Sequence, residues 1–139
     1  MDLQTLADLE AIKQLKARYF RLLDTKQWSE WAEVFTEDAR LQWGPADEQI
    51  MQGRETIVAQ VSANLEDGVS VHHGHMPEIE IHGDTATGIW AMHDYVEMPQ
   101  LVLRGWGHYH EEYAREAGGW RIRRSRLTRL RLEIEPKGA

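Results

Sequence analysis

VHHGHMPEIEIHGDTATGIWAMHDYVEM, residues 71–98, decides the fold. Its PEIEIH run alternates apolar and polar residues with the period of two that marks a half-buried strand. Gly83-Asp84 then supplies a tight reversal suited to a short hairpin. Downstream, LVLRGWGHYHEEYAR (101–115) and GWRIRRSRLTRLRLEIE (119–135) continue as long alternating strands that reverse between Glu116 and Gly119. Upstream the period changes. Leu9, Ile12, Leu15, Tyr19 and Leu22 recur at three- and four-residue intervals, with Glu10, Lys13, Lys16 and Arg18 between them, which predicts an amphipathic helix over about 5–23. SEWAEVF (29–35) predicts a short second helix with Trp28, Trp31, Ala32 and Phe35 on one side and Ser29 as its cap. TEDARLQWGPADEQIMQG (36–53) reads as a turn, a short strand and a Pro/Gly loop, and RETIVAQVSANL (54–65) as a third helix. Three helices followed by a meander of antiparallel strands make an α+β domain, with the helices on one face of a curved sheet. A single domain over residues 1–139 is expected.

Composition narrows the function. A net charge of -7 opposes binding to nucleic acid, which needs a basic face. The one strongly basic stretch is RIRRSRLTRLR (121–131), in which simple alternation places Arg121, Arg123 and Ser125 on one face and Ile122, Arg124 and Arg126 on the other. We read most of these arginines as a solvated or ion-paired face. With 0 cysteines, no membrane-length apolar run and an amino terminus unlike a signal peptide, the expected location is the cytoplasm, with no membrane partner.

Four segments carry a resemblance: AIKQLKARYFRLLDTKQW (11–28), GRETI (53–57), HHGHMPEIEIHGDTATGIW (72–90) and HDY (93–95). In this order they resemble the SnoaL-like branch of the nuclear-transport-factor-2-like superfamily. Within that branch the chain is most similar to bile-acid 7α-dehydratase, and more distantly to scytalone dehydratase and ketosteroid isomerase. The resemblance implies a cone: a strongly curved mixed or antiparallel sheet wrapped around three N-terminal helices, with a deep apolar pocket. It also implies five catalytic positions, Tyr19, Asp24, His72, Asp94 and Arg129, and a homo-oligomer, a trimer before a dimer. Two departures stand out: His73 lies between the catalytic histidine and Gly74, and the segment MPQLVLRGWGHYH (98–110) is shorter and differently composed.

The chemistry this implies is a cofactor-independent dehydratase or isomerase acting on a hydrophobic, polycyclic or aromatic hydroxy-carbonyl compound of the steroid or polyketide kind. Such a reaction needs a base for the carbon-bound proton, an acid for the leaving hydroxyl and a donor for the enolate oxygen. His72 fits the first two tasks, Asp24 or Asp94 would orient it, and Tyr19 would be the donor. Arg129 would anchor the substrate or clamp one of the aspartates. On local grounds Tyr19 is equally a core residue continuing the helix stripe, Asp24 a turn residue and Arg129 one more surface arginine. Five helical residues rotate about 500°, so Asp24 must reach the site from the helix end. Strand parity sets Gly88, Trp90, Met92 and Asp94 together, so Trp43, Trp90 and Met92 are candidate substrate-binding walls. The same parity puts His73 and His75 opposite His72. The pairs His73/His75 and His108/His110 with Glu112 are the weak alternative of a metal site; we expect none. Since the scaffold serves many activities, the competing class is a non-catalytic small-molecule-binding or assembly protein using the same pocket.

Overall fold

The computed structural model describes residues 1–138. Helix α1 spans Leu3–Asp24, its start capped by the Asp2 carboxylate, which accepts from Thr5 N at 2.8 Å. Its inward stripe runs through Ile12, Leu15, Tyr19, Leu22 and Leu23 and includes Asp8 and Lys16. Lys16 was expected among the polar spacers. Its position one residue after Leu15 and three before Tyr19 puts it inside the stripe instead, and it is fully buried. The helix stops in a reversal in which Gln27 N bonds Leu22 O and Lys26 N bonds Leu23 O. Lys26 takes the left-handed conformation (φ 59°) usual for glycine there. Its ammonium compensates by bonding Glu66 O and Gly68 O at 3.0 and 2.6 Å, tying the helix end to the base of the sheet.

Helix α2 is one turn and a half, Trp28–Ala32, with Gln27 at its N-cap and no side-chain cap bond. Ser29 therefore lies inside it rather than capping it, and Phe35 opens strand β1 (Phe35–Gln42) instead of ending the helix. Strand β2 (Ile50–Gln52) and helix α3 (Arg54–Leu65) follow, then the long strands β3 (Val69–His82), β4 (Thr85–Glu97), β5 (Leu101–Glu116) and β6 (Gly119–Pro136). The sheet order is β2-β1-β6-β5-β4-β3. Only β1 and β6 run parallel, which makes the sheet mixed. The β3–β4 reversal is Gly83-Asp84 as expected, Gly83 supplying φ 67°.

Bulges curve the sheet and reset side-chain parity. In β6, Glu112 faces Arg124 and Tyr113 faces Ile122, so Arg123 is the extra residue. Both Ile122 and Ser125 therefore turn inward, contrary to uninterrupted alternation. A second irregularity pairs Trp106 with Arg131 and Gly107 with Arg129, leaving Leu130 unpaired and 78% exposed. The curved sheet stays open and holds the three helices on its inner face, where Trp31, Phe35, Ile57, Tyr113 and Ile122 are the heart of the core. The outward arginines of β6 mostly meet carboxylates: Arg121 pairs with Glu33 and Glu116, Arg124 with Glu112, and Arg131 with Glu133. Among the described residues no helix is long and apolar enough to cross a membrane.

Candidate active site

Asp24 is the last residue of α1, and the reversal after it turns its carboxylate toward β3. Oδ2 accepts from the His72 backbone N at 2.8 Å, and Oδ1 accepts from Ser70 Oγ at 2.9 Å. Oδ1 also lies 2.7 Å from His72 Nδ1. An acidic group with both oxygens occupied in this way is a fixed acceptor, so Nδ1 carries the proton and Nε2 is the free basic nitrogen. Asp24, rather than Asp94, is the histidine's partner.

Asp94 sits directly across the β3–β4 ladder from His72. Arg129 grips it with both arms of the fork, Nη1 to Oδ1 at 2.7 Å and Nη2 to Oδ2 at 3.1 Å. To do so the guanidinium passes over Gly105, which faces Asp94 on β5; a Cβ there would overlap both groups. The Arg123 bulge, which turns Ser125 inward and with it Leu127 and Arg129 by alternation, is what brings Arg129 inward on a strand whose other arginines point out.

His72, Asp94, Arg129 and Tyr19 line one cavity of about 410 Å³ on the inner face of the sheet, in the range of small-molecule pockets. Asp24 stands behind His72 and touches the cavity only through it. Leu23, Leu41, Met51, Val96 and Leu127 make the walls apolar, and Trp43, 47% exposed, stands at the opening. Trp90 and Met92, expected on the wall, do not line it. They share Asp94's face, but they pack as core with Tyr109, and Trp90 Nε1 donates to Tyr113 OH at 2.9 Å. The histidine pairs of the metal alternative lie on the outer face: His110 bonds Thr128, and His73 and His75 sit opposite His93 and Ala91, with His93 stacked flat on Trp106. Among the described residues no group of three or more His, Cys, Asp or Glu is placed to hold a metal ion. A second, open depression of about 560 Å³ on that outer face is crossed by the Arg124–Glu112 pair and is remote from the dyad.

Beneath the cavity floor lies a charged cluster. Lys16 Nζ is 2.7 Å from Glu111 Oε2, both side chains fully buried. Glu111 also accepts from Ser125 Oγ at 2.6 Å and from Tyr113 OH at 2.7 Å. The ammonium lies over three aromatic rings, 3.7 Å from the centroid of Tyr19, 3.9 Å from that of Tyr109 and 4.8 Å from that of Phe20. Burial pulls the Lys16 pKa down while Glu111 holds it up. Burial, followed by nearby carboxylate charge, pushes Tyr19 well above the usual tyrosine range, so at neutral pH it is a neutral O–H donor. Tyr109 is raised likewise, by burial and then by Tyr19, Asp94 and Glu111. Sequence reasoning missed Lys16, Tyr109, Glu111 and Gly105. Only Lys16 left a signal, its position within the apolar stripe.

Comparison with known proteins agrees with this architecture. A protein of unknown function from Mycobacterium tuberculosis is 26% identical with a TM-score of 0.80, the match covering 92% of this chain and 75% of that one. A protein from Kribbella flavida reaches a TM-score of 0.85 at 21% identity, over 93% and 95% of the two chains. A hexachlorocyclohexane dehydrochlorinase, LinA type 2, superposes with a TM-score of 0.82 at 20% identity, over 100% and 95%. At such identities the last two likenesses establish the fold. The SnoaL-like domain family itself matches residues 4–126, which takes in both helix-borne site residues, the dyad histidine and the β4 aspartate: the chain belongs to the SnoaL-like domain family.

Proposed function

We propose that this protein is a cofactor-independent lyase of the dehydratase type, with double-bond isomerisation as the related second activity, acting on a hydrophobic hydroxy-carbonyl compound of polycyclic or aromatic shape. One observation carries the reading: His72 is held by Asp24 through Nδ1 at 2.7 Å while its ring lines an apolar cavity. A histidine so held has a single nitrogen, Nε2, free to act on a ligand. It would take the proton from the carbon next to the substrate carbonyl, with Asp24 balancing the imidazolium charge. Tyr19 would donate to the carbonyl oxygen as the enolate forms. Collapse of the enolate would expel the neighbouring hydroxyl, which takes the same proton from Nε2 and leaves as water. Arg129 would hold Asp94 in place through its bidentate bridge and present charge to a polar substituent of the substrate.

The five positions implied by the resemblance to bile-acid 7α-dehydratase support this reading, as does the structural likeness to a putative scytalone dehydratase from Novosphingobium aromaticivorans and to the dehydrochlorinase, whose names denote eliminations. The differently composed 98–110 segment contributes Met98, Leu103 and Tyr109 to the cavity, so the preferred ring system differs from a bile acid. We further propose a homotrimer in the cytoplasm, in which exposed apolar side chains such as Ile89 on the outer face of the sheet and Leu130, Leu132 and Ile134 toward the end of β6 are covered. A monomer by light scattering would contradict it.

The test is a screen of β-hydroxy-ketone and steroid compounds for water loss or conjugation, read by ultraviolet absorbance. Any active compound is then retested with His72→Ala, which should abolish turnover and leave the circular dichroism spectrum unchanged. A fully active variant would sink the mechanism. Tight binding of these compounds without turnover would instead assign the cavity to a ligand-binding or assembly protein.

A further inference from the structure

The cavity holds a second phenol that the reading above does not use. Tyr109 on β5 lies edge-on to Tyr19, ring centroids 6.4 Å apart, and both line the cavity with Asp94 and Arg129. Neither hydroxyl has a hydrogen-bond partner among the described residues; only burial and charge act on their ionisation. Neither is sealed off, since Trp31 Nε1 is the one enclosed side-chain polar atom without a partner among the described residues. Two unsatisfied donors opening on one apolar cavity leave their hydrogen bonds to a ligand. Beneath them the Lys16 ammonium is caged by one carboxylate, the faces of both rings at 3.7 and 3.9 Å, and more distantly by Phe20 at 4.8 Å. A cation against a ring face draws electron density from the π system, and in a dry site nothing screens that pull.

We infer that Tyr19 and Tyr109 form a two-donor subsite for an enolate or phenolate oxygen, and that Lys16, held by Glu111, is a positioning residue that strengthens both donors through their rings. This rests on the dehydratase reading for its substrate class, but it concerns binding and is testable without turnover. The ligand chemistry follows: a planar oxyanion delocalised into an apolar ring system, preferred over the same ring system without the charge.

The probe is para-nitrophenol at neutral pH, whose bound anion is read by its visible absorbance, with para-nitrotoluene as the uncharged counterpart. A hydrogen bond to a charged acceptor implies that Tyr109→Phe and Tyr19→Phe each weaken the phenolate by roughly tenfold to a hundredfold and leave para-nitrotoluene within about twofold. Lys16→Met alone would strand the buried Glu111 charge, so the companion variant is Lys16→Met/Glu111→Gln, which removes both charges together. It should weaken the phenolate by about tenfold and flatten the dependence of affinity on acidity across a series of substituted phenols. A structural role for Lys16 would move both ligands alike and leave that slope unchanged, which would overturn its part. Wild-type affinity in Tyr109→Phe, or no preference of the wild type for the anion, would overturn the subsite. A chain that binds phenolate through both tyrosines yet eliminates water from no compound would keep this inference and discard the dehydratase reading. Elimination that needs His72 and ignores Tyr109 would do the reverse.

Discussion

Gly105→Ala attacks the Asp94–Arg129 clamp without altering either charged residue. The nearest atoms to an added Cβ are all side-chain atoms of that pair, Arg129 Nη1, Asp94 Oδ1 and Arg129 Cζ, so β5 can keep its path while the guanidinium is driven off. Two charge-assisted bonds of 2.7 and 3.1 Å are lost, and a buried carboxylate is left behind. Breaking a fully buried pair costs about 3–5 kcal/mol. The Arg129 side chain is 22% exposed and the cavity admits water, so solvent recovers part of this and we expect about 2 kcal/mol. For a chain of this size that lowers Tm by roughly 7 °C. Calorimetry on a double-mutant cycle isolates the cause. In an Asp94→Asn background there is no ion pair to break, and Gly105→Ala should cost less than half as much. Gly107→Ala is the control: a Cβ there meets the Thr128 carbonyl and the Arg129 Cα, both backbone, so its cost should not depend on residue 94. Equal costs for Gly105→Ala in both backgrounds would refute the clamp.

Other substitutions read out other parts of the molecule. Asp24→Asn removes the acceptor that fixes the Nδ1–H tautomer, and by comparison with orienting aspartates elsewhere turnover should fall by roughly 10²–10⁴; a loss under threefold would mean that Asp24 only holds the β3 backbone. Arg129→Lys keeps the charge and loses the fork, and should lower turnover about tenfold; unchanged turnover would remove the bidentate geometry from the mechanism. Asp8, buried under Arg115 and Trp120, is held well below the carboxylate range, chiefly by the Arg115 hydrogen bonds at 2.8 Å. A depressed folded-state pKa gives stability that is complete above the unfolded value near 3.9 and is lost as pH falls through the folded one. Asp8→Asn should therefore lower Tm at pH 6, with the gap to wild type narrowing below about pH 4. A gap that stays constant on acidification would show that the Asp8 charge contributes nothing.

Which parts of this were legible in the sequence follows from how local their causes are. Helical stripes and the Gly83-Asp84 hairpin depend on residues a few positions apart, and α1, α3 and the long strands fall where the periods put them. The bulges at Arg123 and Leu130 depend on how β6 pairs with β5, and no spacing within β6 announces them. Through the first of them Ser125 and Arg129 turn inward from a strand that alternation alone reads as an outer basic face. Parity also placed Trp90 and Met92 correctly on Asp94's face, but a strand face runs from core to cavity along its length. Only Asp94 and Val96 reach the cavity, near the end of β4. Asp24 was ambiguous for a different reason: a carboxylate at a helix end caps turns as readily as it orients a histidine, and the choice is made by Ser70 and His72, more than forty residues away.

The three ion pairs around the cavity are unequal in a way that bears on the proposed mechanism. Lys16–Glu111 and Asp94–Arg129 each set a cation against a carboxylate and neutralise themselves. Asp24 faces His72, which is uncharged until it takes a proton. With three carboxylates and two paired cations, the cluster around the cavity carries one negative charge beyond those two pairs while His72 is neutral. Abstraction of a proton by Nε2 cancels it at Asp24 while a new negative charge appears on the ligand oxygen, beside Tyr19 and above Lys16. Charge thus moves from the carboxylate side of the cavity to the side carrying the donors and the caged cation. In a low-dielectric site a fixed arrangement of that kind favours the charge-separated state without reorganising, which is what elimination through an enolate requires. A cavity meant only to hold an apolar ligand would gain nothing from building these ion pairs into its wall and floor, where hydrophobic residues in their place are often at least as stable.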